Sequence, residues 1–317
     1  MSCQYSGGRL HSIRKGSIDL KRWQFESFRF VSYASDHRYN LAKPVGKMND
    51  VFGLIPAAGQ ATRLGHLPCS KEIYPVGFQL QGADGSLFPE VACHCLLQSL
   101  RVAGVTRVFI ILRNEKWDIP AYLGDGAQLD MHIGYLLMGL PYGCPYTLDQ
   151  AWPFVQNKRV ALGFPDVIFR PANAFVRLLM RQEQTGADVV LGLFPSDRPH
   201  KMDMVDVDST GRVRRIMIKP KRTKLSYSWL LAVWTPMFSN FMHDYLAAGD
   251  PHGPRKDGVK PEREKPPELH LGDVFKAWMK RGFPVEAESF SNGCCIDVGT
   301  VEDLKRVVSG NVIRLSD

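Results

Sequence analysis

From residue 51 onward, buried strand-like runs alternate with amphipathic helical windows, and this alternation restricts the folds open to the chain more than any other feature. Val51 to Pro56 (VFGLIP) reads as a buried strand, Val105 to Leu112 (VTRVFIIL) as the next, Val160 to Phe164 as a strand ending at Pro165-Asp166, and Ala187 to Phe194 as another. Between them, Phe88 to Ala103 and Pro171 to Thr185 carry apolar residues at helical spacing. Parallel neighbours need a crossover of a dozen or more residues, and a helix supplies it, so the order predicts a parallel or mixed sheet covered by helices on both faces. Shorter strands follow at Met204 to Val207, Val213 to Ile218 and Trp229 to Trp234, an insertion on the ligand side of the sheet. Leu271 to Arg281 reads as a helix, Val285 to Phe290 as a strand and Val301 to Ser309 as a final helix.

Composition sets the remaining bounds. A chain of 317 residues with 44% hydrophobic and 23% charged residues can bury a sizeable core, which excludes disorder as its main state. Residues 1–48 lack sustained periodicity and are read as a basic, poorly ordered extension, with Met48 as an alternative start; residues 49–317 form one catalytic unit. Residues 250–267 combine Pro, Gly and charge and read as an exposed loop. The formal charge of +8 is unevenly spread: residues 1–48 hold nine Lys and Arg against three Asp and Glu, a formal +6, which leaves +2 for the rest. The body is near neutral, so charge argues against nucleic acid as its partner. Apolar runs such as Trp229 to Trp234 fall short of the ~20 residues needed to cross a bilayer. With no secretory signal pattern, the expected location is the cytoplasm. Seven Cys without metal spacing predict reduced, mostly buried thiols. The nine His show no metal spacing, and no Ser-His-Asp or Cys-His arrangement can be argued.

Three short segments carry the chemistry. Leu54 to Leu64 (LIPAAGQATRL) takes a strand into a loop of small residues, in which Ala57, Ala58, Gly59 and Ala61 let backbone N–H groups approach a phosphate. Arg63 adds a planar fork for phosphate oxygens, and Lys71 a point charge. The spacing fits neither the dinucleotide-binding glycine pattern nor the P-loop. Asp166 stands at the carboxyl end of a strand, where open sheets place ligands and where a carboxylate suits Mg²⁺, although Asp is also a favoured helix cap. Asp297 precedes Gly299-Thr300 and the final helix, a second hard oxygen ligand or a helix-start organiser.

In order along residues 51–308, these segments resemble the signature motifs of the sugar-1-phosphate nucleotidylyltransferases, especially the thymidylyl- and uridylyltransferase branches. The matching stretches are Ala57 to Arg63 with Ser70-Lys71-Glu72, then Gly163-Phe164-Pro165-Asp166, Gly211 to Pro220, and Asp297-Val298-Gly299-Thr300. The resemblance implies that the loop with Thr62 wraps a nucleoside triphosphate and that Arg63 assists pyrophosphate departure. It also implies that Lys71 and Lys219 hold phosphate oxygens and that Asp166 and Asp297 bind the catalytic metal. Thr147 and Gln150 fall in a stretch resembling the base-reading loop, although an ordinary helix start explains them equally well. Asp273 is most simply the cap of the helix at 271. The sequence departs from the family at Ala61 (usually Gly), at Ile218 (usually a sugar-binding Glu) and at Asp203 (usually Gly), with the last two on the sugar side.

The expectation is therefore a three-layer αβα, Rossmann-like fold of glycosyltransferase-A type with a mixed, mostly parallel sheet. The expected reaction joins dTTP or UTP to a sugar 1-phosphate with Mg²⁺, giving a nucleotide sugar and pyrophosphate. The alternatives are a catalytically degenerate nucleotide-binding module and a cytidylyltransferase acting on a non-sugar phosphate such as phosphocholine. A homo-oligomer stays open.

Overall fold

The computed structural model describes residues 48–81, 86–139, 142–248 and 268–309, all within one unit spanning Lys43–Asp317. The extension before Met48 and the loop at 250–267 lie outside the described residues.

In chain order the elements are β1 (Val51–Pro56), β2 (Pro75–Gln81), β3 (Ser86–Val91), α1 (Ala92–Val102), β4 (Arg107–Arg113), α2 (Asp118–Leu123), β5 (His132–Met138), α3 (Cys144–Asp149), α4 (Trp152–Val155), β6 (Arg159–Leu162) and β7 (Val167–Arg170). They continue with α5 (Ala174–Thr185), β8 (Val189–Pro195), β9 (Met204–Val207), β10 (Val213–Met217), β11 (Tyr227–Trp234), α6 (Pro236–Ala248), α7 (Leu271–Lys280), β12 (Glu286–Ser289), β13 (Cys294–Asp297) and α8 (Val301–Val308).

The main sheet has nine strands in the order β10-β9-β11-β6-β1-β4-β5, with β8 on the other edge of β11 and β12 beyond it. All but β10 and β11 run one way, so the sheet is mixed and mostly parallel as expected. Side chains alternate across it, as the strand period demands. On β1, Val51 and Ile55 join a core with α1 and α5, while Leu54 joins a second core with α3, α6 and α7. On β11, Leu231 and Val233 face the first core, and Ala232 and Trp234 face the second. This gives the three layers. Trp234, Phe238, Phe275 and Trp278 close the second core with edge and stacked ring contacts, each worth roughly 0.5–1.5 kcal/mol beyond burial.

Four local features differ from, or are missing in, the sequence reading. The helical window at Phe88 to Ala103 opens as strand, because residues 86–91 pair with β2 in a hairpin before α1 begins at Ala92. Strand β5, which pairs in parallel with β4, has no counterpart in the sequence reading. Strands β7 and β13 form a separate two-stranded sheet. Among the described cysteines, all free, only Cys93 and Cys95 are fully buried; Cys69, Cys144, Cys294 and Cys295 are half-buried.

Candidate active site

Strand β1 hands its carboxyl end to the small-residue loop. The Ala57 amide still donates to the Ile111 carbonyl of β4 at 2.8 Å, so that N–H is committed to the sheet and is not open to a phosphate. Ala57 and Ala58 are buried, whereas Gly59 and Gln60 are exposed, and a Cβ on Gly59 would meet nothing within 4 Å. The stretch that a ligand can approach is therefore Gly59 and Gln60. Ala61 then adopts the left-handed conformation (φ 53°) and starts a 3-10 turn at Thr62–Leu64. Leu64 anchors that turn in the core, leaving Thr62 and Arg63 exposed.

Asp166 and Asp297 are brought together by the small sheet. Asp297 pairs with Val167, and the Val298 amide donates to the Asp166 carbonyl at 2.8 Å. Asp166 thus leads into a strand, which removes the helix-cap reading. Glycine at 299 keeps the cleft open: a Cβ there would stand 3.0 Å from Asp297 Oδ1 and 3.1 Å from Arg63 Nη2.

Lys71, on the 3-10 turn Lys71–Ile73, forms an ion pair with Asp166. Burial opposes the charge on Lys71, but Asp166, with Glu72 and Asp297 beyond it, holds the ammonium above its ordinary pKa. Burial and the neighbouring Asp166 carboxylate push Asp297 up to about 6, against the pull of Lys71 and Arg63. Two cations and two carboxylates therefore converge beside the open loop.

A second pair stands behind them. Glu72 and Lys116 are both buried and bonded at 2.5 Å. Burial drives Glu72 up and Lys116 down, each partly offset by the other. Ser70 donates from both its amide and its hydroxyl to Asp118, at 2.6 and 2.7 Å, fixing the chain just before Lys71. On the other flank, Thr300 caps α8, with its hydroxyl donating to Asp303 Oδ2 at 2.7 Å. Asp303 also pairs with Arg198 and Lys201. Burial alone would raise its pKa, but Thr300, Arg198 and Lys201 hold it below the ordinary carboxylate range.

The other residues singled out in the sequence lie apart from this cluster. Lys219 has φ 37° and neighbours Asp203 rather than Asp166. Thr147 is buried, its hydroxyl donating to the Gly143 carbonyl at 3.4 Å; Gln150 is exposed and folds back on the Tyr146 carbonyl. Asp273 is not the cap of α7: His270 occupies that position, and Asp273 sits in the first turn near Lys276.

The chain from 52 to 310 matches the model of the family described as nucleotidyl transferase. The chain belongs to that family. The resemblance read from the sequence is borne out, as is the expectation of a nucleotidyltransferase. Among similar proteins, the glucose-1-phosphate thymidylyltransferase of Xanthomonas campestris is 25% identical over 257 residues, covering 80% of this chain and 77% of that protein. The low-salt glycan biosynthesis nucleotidyltransferase of Haloferax volcanii is 22% identical over 222 residues, covering 70% of this chain but 56% of its own length. A Bacillus anthracis protein provisionally assigned as a glucose-1-phosphate thymidylyltransferase, crystallised with sucrose, shares the fold with a TM-score of 0.67 at 21% identity, covering 84% of this chain and 98% of its own.

For this nucleotidyl transferase, sequence reasoning assigned no role to Glu72, Lys116, Asp118, Arg198 or Asp303. Glu72 was signalled by its place beside Lys71, but nothing local marks Lys116 as its partner 44 residues on.

Proposed function

We propose that the chain catalyses transfer of a nucleotidyl group from dTTP or UTP to a sugar 1-phosphate, releasing pyrophosphate. The observation that carries this reading is the convergence of Arg63, Lys71, Asp166 and Asp297 beside the exposed loop residues Gly59 and Gln60.

The chemistry needs no protein nucleophile. An oxygen of the sugar phosphate forms a bond to the α-phosphorus, the bond from that phosphorus to the β-phosphate oxygen breaks, and pyrophosphate leaves with the electron pair. The protein supplies position and charge. Arg63, exposed at the cleft, faces the departing pyrophosphate. Lys71 neutralises charge beside Asp166, and Lys219 holds the acceptor phosphate. The free amides of the loop orient the triphosphate.

The donor set fits a divalent cation. Among the described residues no group of three or more His, Cys, Asp and Glu is arranged around a metal position, but Mg²⁺ takes one or two carboxylates and completes its shell with phosphate oxygens and water. The repulsion between Asp166 and Asp297 is what such an ion relieves. Held by these two residues, Mg²⁺ would supply positive charge to the triphosphate oxygens.

The test is Mg²⁺-dependent pyrophosphate release by the full chain, across UTP, dTTP, CTP, ATP and GTP with a panel of sugar 1-phosphates and phosphocholine. Release that requires UTP or dTTP and one sugar phosphate supports the reading. Asp166→Asn should lower turnover at least a hundredfold with the melting curve retained; near-normal activity in that variant defeats the metal assignment. Tight nucleotide binding without release for every pair identifies a non-catalytic module instead.

A further inference from the structure

Lys71 sits on a turn that has little to hold it from within. The 3-10 turn Lys71–Ile73 is closed by the Ile73 amide on the Ser70 carbonyl at 3.0 Å and by the Tyr74 amide on the Lys71 carbonyl at 3.3 Å. Turns of this kind have poor hydrogen-bond geometry and keep their shape through outside contacts. Ser70 occupies the cap position before the turn, where a serine hydroxyl ordinarily accepts from the amides that follow, yet it makes no such bond. Its amide and its hydroxyl are both donated to Asp118 instead. Two residues on, the Glu72 carboxylate accepts from the Lys116 ammonium.

The two partners are likewise two residues apart, in the segment that leaves β4 and enters α2. They meet the turn in antiparallel order, Asp118 on Ser70 and Lys116 on Glu72. That segment is anchored on both sides. The Lys116 amide donates to the carbonyl of Arg113, the last residue of β4, at 3.2 Å, and Ile119, whose amide donates to the Lys116 carbonyl at 3.4 Å, is buried in the first core. Of residues 70–72, Lys71 alone has a side chain directed to another partner, Asp166. A lysine ammonium is a point charge on a flexible four-carbon stem, so its place depends on the backbone beneath it. Displacing a reacting or stabilising group by about 1 Å costs on the order of a hundredfold in rate. Lys116 also occupies the Glu72 carboxylate, which would otherwise compete with Asp166 for the neighbouring ammonium.

We propose that Lys116 and Asp118 are positioning residues of this transferase, which grip the turn on either side of Lys71 and keep its ammonium beside Asp166, where the reacting phosphates bind. The inference rests on the function proposed above.

The experiment reads Lys71 directly. The full chain, without substrates, is labelled with trace acetic anhydride, and acetylation of Lys71 is followed by peptide mass mapping against the exposed Lys280. The variants are Asp118→Ala and the double variant Lys116→Met/Glu72→Leu, which removes the second bond without stranding a buried charge. Each should acetylate Lys71 at least fivefold faster than wild type, and each should lower kcat tenfold or more with a melting temperature within about 5 °C of wild type. In a Lys71→Ala background Asp118→Ala should cost no further activity, because it acts through Lys71. Labelling of Lys71 at the wild-type rate in either variant overturns the inference, and so does an equal loss of kcat with and without Lys71. If Asp118→Ala fails to fold, Ser70→Ala, which drops one of the two bonds to Asp118, takes its place and should label at least twofold faster. A wild-type chain that releases no pyrophosphate with any pair overturns the proposed function and the inference with it. An active wild type with variants unchanged in labelling overturns the inference only.

Discussion

At the scale of single residues, the site is built from groups held in unfavourable surroundings. Ala61 is an L-residue in the left-handed region, which costs it roughly 1–2 kcal/mol, while glycine adds back about 0.5–1 kcal/mol of unfolded-chain entropy. Ala61→Gly should therefore stabilise the chain by up to about 1 kcal/mol. A urea midpoint lower than wild type would refute this. The Glu72–Lys116 pair has the opposite sensitivity. Lys116→Met strands a buried carboxylate and should cost about 3–5 kcal/mol, whereas the double variant Lys116→Met/Glu72→Leu removes both charges and should recover most of that loss. Additive losses in the cycle would show that the pair is not coupled. Arg63, Lys71, Asp166 and Asp297 were singled out in the sequence because the motifs that hold them resemble, in order, those of a known family, and the fold brings the four together. Lys116 was not, because its role exists only once β4 carries it back against the turn at Lys71.

At the scale of elements, two junctions make specific claims. The start of α3 touches the segment before α7 through the bridge between Gly143 and Leu269. Gly143 has φ 131°, and a Cβ there would lie 2.1 Å from the Leu269 carbonyl oxygen, so backbone rather than a pliable side chain must move. Gly143→Ala should destabilise by about 2–4 kcal/mol, read from denaturant unfolding; a wild-type midpoint would mean that the junction gives way freely. The start of α1 depends on a neutral histidine: the Val91 amide donates to His94 Nδ1 at 3.4 Å, and burial holds the pKa of His94 below its ordinary 6.5. The unfolded chain protonates first, so the stability that His94 contributes is complete above pH 6.5 and is lost as pH falls from there toward the folded pKa. Melting temperatures of wild type and His94→Asn between pH 7.5 and 5.5 should converge as pH falls. A constant gap would remove His94 as the cause. The start of α1 also shows where periodicity misleads. Residues 88–91 are apolar enough to extend the helical pattern, yet they pair with β2, because a hairpin partner satisfies their backbone and a helix turn there would not.

At the scale of the whole molecule, the layering followed from alternation, since strands buried on both faces read as continuous apolar runs and the connecting helices show their own period. The strand order did not follow. The meeting of β7 with β13, which brings Asp166 to Asp297, joins segments far apart in sequence, and no local period encodes such a pairing. The interruption of one edge of β11, where β6 stops and β9 resumes, is likewise a property of the assembled sheet. Charge, by contrast, was legible without a fold. The formal +6 of residues 1–48 sets the molecule's basic character, while residues 49–317 carry +2 and place several of their cations in pairs with Asp166, Asp303, Glu286 and Glu288. Retention of the full chain on heparin or DNA should therefore come from the extension alone. Polyelectrolyte binding falls steeply with salt, in proportion to the number of phosphates neutralised. Replacing the nine Lys and Arg between Arg9 and Lys47 with Gln should abolish retention at low ionic strength. Pyrophosphate release should stay unchanged, because the proposed site is built from Arg63, Lys71, Asp166, Lys219 and Asp297. A variant that still elutes late would place a polyanion-binding surface on the sheet-bearing unit. A variant that elutes early but turns over slowly would assign the extension a part in the reaction.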